Sequence, residues 1–456
     1  MTETSHELFS ANSNGTLSIW GYVLLTGFVV LLPVGSWYNA PLLIMAVIGC
    51  VLLARQFNEF FRLETARLLG AVFLCIWVPM VIATVGAANS GEALRKTVSF
   101  LALFPVGVFA IHLASRRWHP NRLTLLLFAV VSLWMLDAVV QFLLGANLLG
   151  FPRERLRLTG VFYPKFTLGV VLAVLAPFFF DALRRLCSKT FLWSVLLVPY
   201  CLVIVLAGSR SSWAVFLVAI IGYLIFLKKS GVIATASLAK TAGVIVVIVA
   251  VLATVFPAQT DKVSSVIGKR VERTLPILQG DREGLDRALA RRLSLWETAR
   301  NIIGESWLTG VGPRGYRYVY ADFAPEDDYF QGGKLKGTPT HPHQMFLEIA
   351  AESGLLGVLG YVLMFILIIR HLVRLSPAAF RIVFPAALAL VICVFPLNVH
   401  HAFYGSFTSA MMCWLLAVFV GTSQWTSRAN DRTVLDDAFN TSAGPKVRQE
   451  TNSAKP

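Results

Sequence analysis

The sequence predicts an all-α fold. It reads as a polytopic membrane protein of about twelve transmembrane helices, with one large outer loop that contains amphipathic helices. Three observations predict this. Hydrophobic residues make up 56% of the 456 and charged residues only 14%, and the mean hydropathy is +0.68, a balance far from that of a soluble domain. Apolar runs approaching the roughly 20 residues that a spanning helix needs recur along the chain. Lysines and arginines crowd into alternate short loops, the pattern that fixes the orientation of a multi-span protein.

Taken in order, the expected spans are Ile19–Trp37, Ala40–Leu53, Leu68–Ala87, Val98–Ala114, Leu123–Leu149, Phe162–Leu183, Phe191–Ala207, Ser212–Leu227, Ala239–Phe256, Gln344–Ile369, Ile382–Leu397 and Phe407–Trp425. The second is short for a crossing and admits a tilted or reentrant path. This divides the chain into residues 1–256 (transmembrane helices 1–9), 257–342 (the large loop), 343–427 (helices 10–12) and 428–456 (a polar tail expected to be disordered). The basic loops hold Arg55, Arg62 and Arg67, then Arg116, Arg117 and Arg122, then Arg184, Arg185 and Lys189, then Lys228, Lys229 and Lys240, then Arg370, Arg374 and Arg381. All of them fall on one side if both termini are cytoplasmic. No cleaved signal peptide is expected at the N-terminus, and no internal repeat stands out.

The other side carries arginines in short loops, where the orientation rule disfavours them. Arg153, Arg155, Arg157 and Lys165 lie close together, and Arg210 sits in the tight turn Gly208–Ser212. The large loop adds Arg291, Arg292, Arg314, Arg317 and others. Guanidinium groups grip phosphate oxygens two at a time, so an anion bound at the outer membrane surface accounts for them. Snorkelling or binding of lipid headgroups is the competing account. The net charge of +15 suits anionic lipid and an anionic substrate and gives no indication of nucleic acid.

Cysteine and metal chemistry are not expected. Cys50, Cys75, Cys201, Cys393 and Cys413 fall in spans and Cys187 in an inner loop, with no CxxC pair. His400 and His401 are adjacent and have no neighbouring carboxylate, and Glu326–Asp328 reads as a solvated acidic cluster. No metal and no cofactor is therefore assigned.

Within the large loop, Asp281–Trp307 places Leu285, Leu289, Leu293, Trp296 and Ile303 on one helix face. Arg292 and Trp296, four apart, share a face. Gly310–Tyr316 follows as a Gly/Pro turn. The loop closes on Thr340–Gly360, where His343 and Gln344 stand at the mouth of a span. A proton-exchanging group thus meets the bilayer surface. Glu348 and Glu352 share a face of that span and should point inward, to hold an arginine or the histidine. Gly354, Gly357 and Gly360 form a smooth stripe for close helix packing. Asp137 and Gln141 are expected to find polar partners inside the bundle.

Three elements occur in one order: Gly208–Arg210 (GSR); Arg292, Trp296 and Gly310–Pro313 (RxxxW then GVGP); and His343, Gln344, Gly354 and Gly357 (HQ, nine residues, GxxG). From about Leu206 to Gly360 the set resembles the O-antigen ligase family, in a superfamily with O-antigen polymerases and some bacterial protein O-oligosaccharyltransferases. The resemblance implies an inverting glycosyl transfer at the periplasmic face of the bacterial inner membrane. The implied donor is an undecaprenyl-pyrophosphate-linked glycan, the acceptor lipid A–core oligosaccharide, and no metal is needed. Carried over by motif, His343, Arg210 and Arg292 are catalytic. Arg153, Arg155, Arg157, Lys165, Arg291, Trp296 and Gln344 are candidates for substrate binding. His341, two residues before His343, is an alternative for the histidine role. The competing readings are a polymerase, a protein O-oligosaccharyltransferase and, in another class, a transporter of a lipid-linked anion.

Overall fold

The computed structural model describes residues 19–115, 118–153, 157–187, 190–207, 209–231, 264–265, 268, 272, 284–286, 289, 291–326, 328–330, 339–396, 398 and 402–429. Arg155, His400, His401, the expected span Ala239–Phe256 and the tail from residue 430 lie outside these, as does most of the first part of the large loop.

The described residues are all-helical. In chain order the helices are α1 (Ile19–Val30), α2 (Asn39–Arg55), α3 (Glu64–Val85), α4 (Ser90–Phe100) running on into α5 (Leu103–Ala114), α6 (Pro120–Leu144), α7 (Leu168–Leu186), α8 (Thr190–Leu206), α9 (Arg210–Lys229), α10 (Leu293–Glu305), α11 (Tyr316–Phe323), α12 (Met345–Arg374), α13 (Pro377–Cys393) and α14 (Ser406–Arg428). Six of these segments are long and apolar enough to cross a membrane: α3, α4–α5, α6, α9, α12 and α14. The helices Ile19–Val30, Asn39–Arg55, Leu196–Leu206 and Pro377–Cys393 are apolar but shorter. The membrane class therefore stands, while the expected count of about twelve crossings does not follow from helix length.

The boundaries shift where local chemistry dictates. The first span stops at Val30 and gives way to turns through Tyr38. The fifth stops at Leu144 because Gly145 takes a left-handed φ of 88° and ends the helix. The fourth begins earlier than Val98: Asn89 caps α4 by accepting the Glu92 N–H at 2.9 Å, so the helix starts at Ser90.

Helix α14 is the centre of the bundle. It packs on α5, α13 and α3 and is buried along nearly its whole length. Several of its polar residues find partners inside the bundle: Thr422 and Ser423 donate to carbonyls four residues back, and Gln424 accepts from Thr65 at 2.5 Å. Trp414 donates to the Leu25 carbonyl at 2.9 Å and stacks on Phe28, locking α1 to the core. Loop contacts sort the two ends of the bundle. Ala88 bonds to Val311, Leu158 to Leu206 and Met345 to Asn398 at one end. At the other, Tyr22 bonds to His119, whose ring packs on Trp425.

Candidate active site

The site is built around the first two turns of α12 and the break that follows them. Gln344 caps α12: its side-chain oxygen accepts the Leu347 N–H, and its amide donates to the Pro396 carbonyl at 3.2 Å. His343 precedes the cap with a left-handed φ of 52°, a conformation unusual for a residue with a Cβ. Its ring is 4.0 Å from that of His341, centroid to centroid. His341 itself meets the Thr340 hydroxyl at 3.0 Å. The backbone before the cap is held by Trp296 of α10, which donates its indole N–H to the Pro342 carbonyl at 3.1 Å.

Two turns further on, α12 breaks. Gly354 has φ 60° and ψ −158°, a region open essentially to glycine alone. The break frees two N–H groups, which the large loop satisfies: Leu355 donates to Trp307 at 2.8 Å and Leu356 to Leu308 at 3.3 Å. In return Val311 donates to the Ala351 carbonyl at 3.0 Å. Gly310, at φ 69°, is seated so closely that a Cβ there would lie 2.6 Å from the Ser353 nitrogen. The GVGP turn is thus a plug for a broken helix. The glycine stripe divides in function: Gly360 does pack against α3, at the Cys75 carbonyl, whereas Gly354 is the break itself.

The glutamates also differ from expectation. Both are fully buried, but neither hydrogen-bonds an arginine side chain or the histidine among the described contacts. Glu348 accepts the N–H groups of Phe403 and Tyr404, at 2.7 and 3.2 Å. Glu352 accepts those of Arg314 and Tyr316, at 2.5 and 3.3 Å. Each carboxylate therefore gathers a loop onto the mouth of α12 through backbone donors.

Helix α10 is shorter than its hydrophobic pattern suggested, and it buries a different face. Arg291 has φ 61°, which no helix accommodates, so α10 starts at Leu293 with Arg292 at its cap. The buried residues are Leu295, Thr298, Ala299 and Ile302, packed with Val311, Tyr316, Tyr320 and Ala351. Leu293, Trp296 and Ile303 are half-buried and Leu285 is exposed. Asp286 takes the Leu293 N–H at 3.0 Å and pairs with Arg291 at 3.4 Å, while the Arg291 guanidinium lies over Tyr329. Tyr316 donates to the Leu295 carbonyl at 2.8 Å, and burial pushes its phenol above the usual range. The acidic cluster is not wholly solvated either: Asp328 is buried and accepts from Tyr320 at 3.0 Å.

Arg210 and Arg292 come into each other's electrostatic field. Arg292 is half-buried; burial and, after it, the charge of Arg210 hold its guanidinium below the usual arginine range. An arginine remains cationic under such pressure, so two like charges share a partly desolvated space. Arg210 is fixed there as the first residue of α9. Trp213 donates to the Ile204 and Val205 carbonyls at 3.3 Å, tying the first turn of α9 to the last of α8. Arg292 lies one helical turn before Trp296, whose indole holds the residue preceding His343. Trp296 thus links the helix that begins after Arg292 to the backbone ahead of His343.

Of the second arginine group, Arg157 precedes a residue that is bonded to the end of α8. Leu158 bonds to the Leu206 carbonyl at 3.0 Å, beside the turn that carries Arg210, and the Arg157 guanidinium lies over Phe166 at 4.8 Å. Arg153 is half-buried and Lys165 exposed. The loop that carries them is shaped from α6. Asp137 accepts from Asn147 and from the Leu148 N–H, and Gln141 accepts the N–H groups of Thr159 and Gly160. One residue at this end carried no sequence-based expectation. Lys96 lies on α4; it and Arg314 of the plug are within electrostatic reach of Glu348. Lys96 follows Arg95 on a polar helix that also carries Glu92, a pattern that reads as an ordinary solvated face.

The fold and site define the class: a multi-pass α-helical membrane protein with an arginine pair and a histidine at one end of its bundle. Residues 194–362 match the family model described as O-antigen ligase, so this part of the chain is similar to that family. A Rickettsia conorii protein provisionally named a polysaccharide ligase is 33% identical over 87 residues. That alignment takes in 19% of this chain and spans about a fifth (20%) of the relative's length.

Proposed function

We propose that the chain is an O-antigen ligase of the bacterial inner membrane, acting at the periplasmic face. It transfers a glycan from undecaprenyl pyrophosphate to the lipid A–core oligosaccharide. An acceptor hydroxyl attacks the anomeric carbon from the side opposite the pyrophosphate. The new C–O bond forms as the bond to the pyrophosphate oxygen breaks, with inversion. The observation that carries this reading is the hydrogen bond from Trp296 to the Pro342 carbonyl, which ties the helix capped by Arg292 to the backbone ahead of His343.

The residues divide the work. Two guanidinium groups in a partly desolvated space repel each other until an anion joins them, which suits a departing diphosphate. His343 accepts or orients the proton of the attacking hydroxyl. Trp296 and Gln344 fix the backbone on either side of the histidine. Arg157 extends the cationic surface along the glycan-bearing diphosphate, and Arg153, Arg155 and Lys165 are further candidates for the same contact. Charge neutralisation by arginine makes a metal unnecessary in this scheme.

The test is the lipopolysaccharide of a deletion strain. Loss of polymer from lipid A–core, with long lipid-linked glycan accumulating, is the expected result. A core carrying a single repeat unit would mean a polymerase and would overturn the ligase assignment.

A further inference from the structure

A cavity of about 340 Å³ opens between α2, α4–α5 and α14, at the same end of the bundle as His343. Its rim is polar: Lys96, Asn39, Ser99, Ser406 and Ser409 line it, and no carboxylate does. Its floor is apolar, with Leu42, Leu43, Leu103 and Ala410. Leu43 is 66% exposed, so the floor opens sideways onto the surface that faces lipid. The volume is that of a small ligand site.

Lys96 is the cation of this cavity. Its ammonium lies 5.1 Å from the centre of the Phe100 ring. It is in electrostatic reach of Glu348, yet among the described residues it makes no ion pair, and both Glu348 oxygens accept backbone N–H groups. Helices α2 and α14 both begin at the rim without a side-chain cap and without an acidic residue in the first turn. Their positive ends add to the lysine's field.

We infer that this cavity is a second lipid-phosphate site, built from residues other than the arginine pair. The phosphorylated head of a membrane amphiphile sits against Lys96 and the Ser406 hydroxyl, and its alkyl chain leaves along Leu42, Leu43 and Leu103. A lysine ammonium acts here as a point charge, sufficient for one phosphate. The apolar floor selects an alkyl-bearing phosphate over a free one.

The experiment uses the full chain purified in neutral detergent and a photoactivatable dodecyl phosphate. Irradiation should label peptides containing Leu42 or Leu103. Lys96→Gln should lower that labelling about tenfold or more, the worth of a charged hydrogen bond, while Lys96→Arg should largely retain it. Ala410→Phe, which fills the floor and leaves the lysine, should also lower it, so the proposal stays testable if Lys96→Gln fails to fold. Unchanged labelling in both Lys96→Gln and Ala410→Phe would overturn the site. Competition by inorganic phosphate as strong as that by unlabelled dodecyl phosphate would overturn its lipid character. Equal labelling by a neutral dodecyl probe would overturn the role of the charge.

Discussion

The indole N–H of Trp296 and the backbone just ahead of His343 are joined by one hydrogen bond, 3.1 Å from Trp296 to the Pro342 carbonyl. His343 itself holds a left-handed backbone, with φ at 52°. A loop helix therefore supports the strained residue that carries the proposed base, and Arg292 is the N-cap residue of that same helix.

Trp296→Phe keeps most of the packing and removes the donor. The protein should still insert and fold, with transfer reduced several-fold as the histidine loop loses its support; one hydrogen bond is worth about 0.5–1.5 kcal/mol. Transfer of labelled glycan to lipid A–core measures it. Activity equal to wild type would show that the indole N–H does not position His343.

His343→Ala should abolish transfer, because proton acceptance contributes roughly 100- to 10,000-fold. His341→Ala should keep substantial activity, since the neighbouring ring acts only beside it. A gel of cellular lipopolysaccharide separates these results. A dead His341→Ala with an active His343→Ala would exchange the two roles.

Arg210→Lys and Arg292→Lys each keep a charge and lose the two-pronged grip on phosphate. Each should cost at least tenfold in transfer with normal expression. Near-normal ligation in both variants would remove the pair from the diphosphate site.

Gly354→Ala places a Cβ where the backbone region costs on the order of 1–3 kcal/mol and where the Leu308–Thr309 backbone already lies. The protein should melt at a lower temperature in detergent and lose activity. Gly70→Ala, in α3, where the added methyl meets only the Phe104 ring at 3.9 Å, should do less. Equal melting temperatures for the two would contradict the hinge.

Transfer by the purified protein should continue in excess EDTA, because the arginines supply the charge that a divalent ion would otherwise bring. Loss of activity with chelator, restored by magnesium or manganese, would refute this scheme.

The sequence by itself determined the membrane class, the rough place of most helices and the cationic character of one set of loops. Those depend on local quantities, namely apolar run length and charge per loop, that composition and spacing record directly. The order of the GSR, RxxxW and HQ motifs carried the resemblance from which His343, Arg210 and Arg292 are proposed as one site. Only the tertiary structure decided what the glycines and glutamates do. Gly354 breaks α12 because the Trp307 and Leu308 carbonyls arrive to take the freed N–H groups of Leu355 and Leu356, and Glu348 and Glu352 bind backbone donors brought from Phe403, Tyr404, Arg314 and Tyr316. The face of α10 was misread for a related reason. Its start is set by the left-handed Arg291 and by Asp286 capping from outside the helix. Such partners are distant in the chain or belong to the backbone, and neither leaves a periodic trace in side-chain hydrophobicity.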